Sequence, residues 1–173
     1  RDRAGDQSKQ IAYSFLNDGG TEAGSLTYQE LDRQARAIAA QLQALNATGS
    51  QALLVYPYNA GLEFVAAFFG CLYAGVVAVT DNPPRNSQAT SKLGDRAVSS
   101  QATVVLTTQS LLTKIKGQLE ENPDFAPPLK RLPWIATDRV PTACASDWVE
   151  PLLTPDTLAF LQYTSGSTGM PKG

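Results

Sequence analysis

Hydrophobic and polar positions along this chain change period repeatedly, and each change marks an element. Residues 11–16 read as a short strand, Asn17-Asp18-Gly19-Gly20 as a turn able to take φ > 0, and residues 25–27 as a returning strand. Thr27-Tyr28-Gln29-Glu30 spells a capping box, with Leu26 and Leu31 placed as a hydrophobic staple. Leu31, Ala35, Ile38, Ala39, Leu42 and Leu45 then recur at three-to-four spacing, while Asp32, Arg33, Arg36, Gln41 and Gln43 fall elsewhere. The spacing predicts an amphipathic helix ending near residues 46–49.

Residues 52–56 read as a strand, and residues 62–79 carry one charge, Glu63, in eighteen positions. That length invites a membrane-spanning reading. Gly75, however, is a natural helix stop, and Val76-Val77-Ala78-Val79 is β-branched and strand-like. A buried helix over 62–74 followed by a buried strand accounts for the same letters, and no membrane insertion is expected. Asp81-Asn82-Pro83-Pro84-Arg85 reads as loop.

Ala89, Leu93 and Ala97 stripe a mostly polar helix, and residues 103–107 form the next strand. Leu111, Leu112, Ile115 and Leu119 stripe another helix, stopped by Asn122-Pro123. A proline-rich approach through Pro127-Pro128-Leu129 leads to a strand over 134–137, and residues 138–155, with three prolines, read as surface connection. Residues 158–163 are an apolar run read as a buried strand, with Ala159, Leu161 and Tyr163 on one face and explained by core packing. Strands alternating with helices in this way predict an α/β fold, a mainly parallel sheet with helices on both faces. In such sheets ligands bind beyond the carboxyl ends of the strands.

The chain has 173 residues, 43% hydrophobic and 17% charged, enough for one ordinary core. Net charge is −2, and no Lys/Arg cluster exceeds two neighbours, so a nucleic-acid footprint is not expected. Histidine is absent, and the two cysteines, Cys71 and Cys144, stand 73 positions apart. Cys/His metal sites and His-based catalytic dyads are thereby excluded within the chain. Cys71 lies in an apolar helix and reads as a small core residue. Residues 1–10 are polar, so no signal peptide is expected. The sole methionine is Met170, and the chain is expected to be a piece of something longer.

The candidate chemistry follows the last strand. Thr164-Ser165-Gly166-Ser167-Thr168-Gly169-Met170-Pro171-Lys172-Gly173 combines three glycines, four hydroxyls and one lysine. Glycines let successive N–H groups converge on one point, hydroxyls add donors, and Lys172 adds a mobile positive charge. Such a set suits phosphate oxygens. A flexible Gly/Ser linker shares the composition but rarely carries Pro-Lys-Gly directly after an apolar strand. A Walker loop needs glycine five positions after Gly166, where Pro171 stands, and a hydroxyl after Lys172, where Gly173 stands. The Walker reading fails.

The loop resembles, at every fixed position, the signature of the adenylate-forming superfamily: acyl-CoA synthetases, peptide-synthetase adenylation domains and fatty acyl-AMP ligases. Residues 10–19, 25–32 and 63–75, with Pro83-Pro84-Arg85 and Leu161-Gln162-Tyr163, are similar to fatty acyl-AMP ligases in particular. Thr80-Asp81-Asn82 departs from that pattern, and residues 57–61 look longer than the usual turn. The resemblance implies that residues 1–173 are a partial N-terminal AMP-binding domain stopping at the phosphate-binding loop, the C-terminal domain being absent.

It further implies a cytoplasmic ligase of lipid metabolism or of polyketide and peptide biosynthesis. ATP and Mg²⁺ would be its cofactors, a fatty acid its substrate, and the phosphopantetheine thiol of an acyl carrier protein its acceptor. Thr164, Ser165, Gly166, Ser167, Thr168, Gly169 and Lys172 would bind the β- and γ-phosphates, Lys172 also serving catalysis. An acyl-CoA synthetase or an amino-acid adenylation domain is the alternative. The chain by itself is expected to be inactive, at best a weak phosphate-binding half-site.

Overall fold

The computed structural model describes residues 1–121 and 124–163. Five parallel strands form the central sheet in the order β6-β5-β3-β4-β7, comprising β3 (Gln51–Val55), β4 (Val77–Asp81), β5 (Ala102–Thr107), β6 (Trp134–Ala136) and β7 (Phe160–Gln162). An antiparallel hairpin, β1 (Ile11–Leu16) with β2 (Glu22–Thr27), stands apart from it. The helices are α1 (Asp2–Asp6), α2 (Tyr28–Ala44), α3 (Gly61–Ala74), α4 (Ser87–Ser99), α5 (Gln109–Glu121) and α6 (Pro127–Arg131).

Period-two alternation along each strand divides the core into two layers. Ala52, Leu54, Tyr56, Ala78, Val104 and Leu106 face α2 and α3, where they meet Ile38, Leu42, Ala67 and Cys71. Leu53, Val55, Val79 and Val105 face α4, α5 and α6, meeting Leu93, Ala97, Ile115 and Leu129. Strands covered on both sides carry near-continuous apolar runs, which is why β3 reads Ala-Leu-Leu-Val rather than alternating.

The capping box forms as its letters require: Thr27 Oγ1 accepts from Glu30 N at 3.2 Å, and Thr27 N donates to Glu30 Oε2 at 2.9 Å. Helix α3 ends at Gly75, whose φ of 67° is left-handed, and the chain turns directly into β4. Among the described residues no helix is long and apolar enough to cross a membrane. Cys71 is fully buried, and burial pushes its thiol pKa up, so it sits there as a neutral core residue.

Three expectations need correction. The run at 158–163 is not a buried six-residue strand: only Phe160–Gln162 joins the sheet, pairing with β4 alone, and Leu158 and Phe160 are about half exposed at 53% and 48%. Among the described residues β7 is the last strand on its side of the sheet. The segment 138–155 is more than surface connection. Trp148 Nε1 donates to the Tyr73 carbonyl at 2.8 Å, and Gln43 bonds both backbone groups of Val149, so the segment is strapped across α2 and α3. Residues 2–6 and 127–131 form short helices where no apolar stripe announced them. Asn122 and Pro123, the expected stop of α5, lie outside the described residues.

Candidate functional site

Because all five strands run parallel, their carboxyl ends gather along one edge: Tyr56, Asp81, Thr107, Thr137 and Tyr163 follow or close β3, β4, β5, β6 and β7. Adjacent strands β3 and β4 send their helices to opposite faces, α3 to one and α4 to the other. This is the topological switch at which open α/β sheets present a crevice. The two loops flanking it touch: Tyr58 Oη donates to Asn82 Oδ1 at 3.4 Å, and the Arg85 guanidinium lies 5.8 Å from the Tyr58 ring centroid.

Every residue assigned to phosphate binding, namely Thr164, Ser165, Gly166, Ser167, Thr168, Gly169 and Lys172, lies outside the described residues. What the structure does place is their point of origin. Residue 163 leaves the carboxyl end of β7, beside the carboxyl end of β4, because Thr80 pairs with Gln162 in a parallel ladder.

Two polar clusters line this edge. On the β5–β6 side Tyr56 Oη and Thr137 Oγ1 are 2.8 Å apart, Thr137 Oγ1 also reaches the Thr107 carbonyl at 3.3 Å, and Asp138 Oδ1 accepts from Gln109 N at 2.8 Å. Burial pushes the Tyr56 phenol well above its ordinary range, so it stays protonated and acts as a structural hydrogen-bonding group. Next to it lies a cleft of ≈ 250 Å³ lined by Gln34, Ile38, Glu63, Thr137, Asp138 and Val140. Its two carboxylates make it a poor host for a polyanion, which argues for phosphates being held elsewhere on the edge.

On the β4–β7 side Asp81 Oδ2 stands 2.9 Å from Arg96 Nε of α4, and Asp81 Oδ1 accepts from Asn82 N at 2.7 Å. Burial raises the Asp81 carboxyl above its ordinary range more than Arg96 and the Asn82 N–H lower it. The Arg96 guanidinium in turn lies over the Tyr163 ring, 5.1 Å from its centroid. Tyr163 packs against the core, as its place beside Leu161 led one to expect, and its ring also takes this cation–π contact. Arg96 and Asp81 were missed because neither belongs to a motif. The available signal was a carboxylate closing a β-branched run, a position that normally demands a partner. Among the described residues no group of three or more His, Cys, Asp or Glu could hold a metal ion.

Comparison with known proteins meets this geometry directly. A family profile described as AMP-binding enzyme matches residues 1–173, and the chain belongs to that family. Its relatives include the medium-chain-fatty-acid–[acyl-carrier-protein] ligase JamA of Moorena producens (strain JHB), 47% identical over 170 residues and covering 96% of this chain and 28% of that protein. The long-chain-fatty-acid–AMP ligase FadD32 of Mycolicibacterium smegmatis is 34% identical over 169 residues, covering 95% of this chain and 26% of its own length. Among solved structures, a fatty acyl-adenylate ligase from L. pneumophila, in complex with acyl adenylate and pyrophosphate, superposes with a TM-score of 0.84 at 36% identity, over 100% of this chain and 28% of that one. The chain thus spans little more than a quarter of the length of the relatives it matches.

Proposed function

We propose that residues 1–173 form the N-terminal part of the AMP-binding domain of a fatty acyl-AMP ligase, whose remaining AMP-binding and C-terminal portions are supplied by further sequence. The reaction joins a fatty acid to ATP. A carboxylate oxygen attacks the α-phosphorus, the bond to the β-phosphate bridging oxygen breaks, and acyl-adenylate and pyrophosphate result. The observation that carries this reading is the exit of the Gly/Ser/Thr-Lys segment from the carboxyl end of a parallel strand, in a chain 47% identical to a fatty-acid–acyl-carrier-protein ligase.

The physical need is charge stabilisation. Negative charge builds on the β- and γ-phosphates as pyrophosphate leaves, and preorganised donors lower that barrier. Backbone amides of residues 165–169, the hydroxyls of Thr164, Ser167 and Thr168, and the Lys172 ammonium are assigned to this task. Each charge-assisted bond is worth about 1.5–3 kcal/mol. Mg²⁺ would accompany ATP as the counter-ion of its phosphates. Asp81, at the carboxyl end of the neighbouring strand, is engaged by Arg96, so no metal step is assigned to the described residues.

The acceptor in this reading is the phosphopantetheine thiol of an acyl carrier protein, by likeness to the ligase of that description. The test uses the full-length enzyme. Lys172→Ala should reduce fatty-acid-dependent ATP–pyrophosphate exchange at least tenfold; unchanged exchange would remove the role of the loop. Offering holo carrier protein and coenzyme A in parallel separates the acceptors. Preference for coenzyme A would reassign the enzyme as an acyl-CoA synthetase.

A further inference from the structure

Four side chains from three elements converge where the Gly/Ser/Thr-Lys segment begins. Tyr163 is the residue immediately before it. Arg96 and Ser99 are three apart on the last turn of α4 and therefore project to the same side. Asp81 closes β4, the strand against which β7 lies. The Asp81 and Arg96 side chains are only 10% and 18% exposed, the Arg96 guanidinium lies over the Tyr163 ring, and Tyr163 Oη sits 3.2 Å from Ser99 Oγ. Although Arg96 Nε is 2.9 Å from the carboxylate, its N–H does not point at the oxygen and makes no hydrogen bond. The pair is held by charge, and the planar face of the guanidinium is left for the aromatic ring. A lysine at this position would keep the charge and lose the plane.

The need for such an anchor follows from β7 itself. The pairing with β4 stops at Thr80–Gln162, so residue 163 lies beyond the ladder and is fixed, among the described residues, by side-chain contacts. We propose that Arg96, braced by Asp81, is a positioning residue that clamps Tyr163 against α4 and so sets where the phosphate-binding segment enters the site. This rests on the reading of residues 164–173 as that segment. Catalytic groups displaced by about 1 Å lose on the order of a hundredfold in rate, so a modest shift at Tyr163 is enough to be measured.

The experiment is steady-state ATP–pyrophosphate exchange by the full-length enzyme. Arg96→Lys is expected to raise KM for ATP about tenfold and leave KM for the fatty acid within about twofold. Simple loss of structure would not produce that split. Tyr163→Leu should give the same loss, Tyr163→Phe should stay within about threefold of the parent, and the Arg96→Lys/Tyr163→Leu double variant should be no worse than the poorer single one, as coupled residues require. An unchanged KM for ATP in Arg96→Lys, or losses that multiply in the double variant, would overturn the clamp. Should Arg96→Lys not fold, Tyr163→Leu against Tyr163→Phe carries the same test. Lys172→Ala serves as the reference. If it is silent, the phosphate reading fails and the clamp with it; if it abolishes exchange while Arg96→Lys and Tyr163→Leu do not affect KM for ATP, the clamp alone fails.

Discussion

Helices α3 and α4 perform the same topological task, each lifting the chain from the carboxyl end of one parallel strand to the amino end of another, and they use opposite materials. Helix α3 buries only small residues, Ala66, Ala67, Gly70, Cys71 and Ala74, so that its backbone can lie close to α2 and the sheet, while Phe64, Phe68 and Phe69 stay half-buried around it. Its N-terminus at Ala60 has no side-chain cap, and Glu63 is its one charge. Helix α4 is capped by Asn86, whose Oδ1 accepts from Ala89 N at 2.9 Å, buries Leu93 as its one large apolar anchor, and keeps Arg96 at its end for Asp81 and Tyr163. Helix α3, held by close packing along its length, gives the neighbouring segment 138–155 an aromatic contact, the Tyr73 ring lying 5.5 Å from that of Trp148. Helix α4, held by one anchor and a cap, gives a charged one, and the polar contacts on the β4–β7 side of the carboxyl edge fall to it.

The largest test of that contrast is Leu93→Ala, which should lower stability by about 2–5 kcal/mol in urea unfolding because a fully enclosed side chain is lost. A loss below about 1 kcal/mol would show that α4 has other anchors. Next come two glycines given the same substitution. A Cβ on Gly70 would lie 2.7 Å from Ile38 Cγ2 and 3.3 Å from the Ala35 carbonyl oxygen, so Gly70→Ala should destabilise: overpacking of about 1–3 kcal/mol outweighs a propensity gain of about 1 kcal/mol. On Gly94 the same atom would meet Ala126 Cβ at 3.5 Å, an ordinary distance, so Gly94→Ala should raise the unfolding free energy by up to about 1 kcal/mol. Shifts of one sign in both would erase the distinction between the helices.

The smallest effect is on pH. Asp81 faces Arg96 and the Asn82 N–H, yet burial leaves its folded pKa above the unfolded value of about 3.9. A raised carboxyl contributes stability that is fully present below the unfolded pKa and declines as pH rises through the folded one. The stability of the parent chain minus that of Asp81→Asn should therefore fall as pH increases from about 3.9 upward. A rise over that range would mean that Arg96 attraction, rather than burial, governs the carboxyl.

Much was legible in the letters because it was local. Thr27 to Glu30 cap their helix within four residues, Gly75 ends α3 within one turn, and the sheet's apolar runs announce burial on both faces. The motif at Thr164 to Lys172 is equally local, and the superfamily whose signature it resembles agrees with the family profile that matches the chain. The Asp81–Arg96–Tyr163 cluster was not legible. Its members are separated by 15 and 67 positions and share no spacing rule. The exposure of β7 was likewise hidden, since the letters Phe-Leu-Gln do not tell how far neighbouring elements cover Phe160.

The sequence by itself determined the capping chemistry, the stop of α3 and the family its terminal motif resembles, because each depends on neighbours a few bonds away. Only the tertiary structure decided the order of the described strands and which charged residue reaches Tyr163 at the root of the motif. Those are consequences of how helices pack on the two faces of a sheet, and they bring together groups the chain keeps far apart.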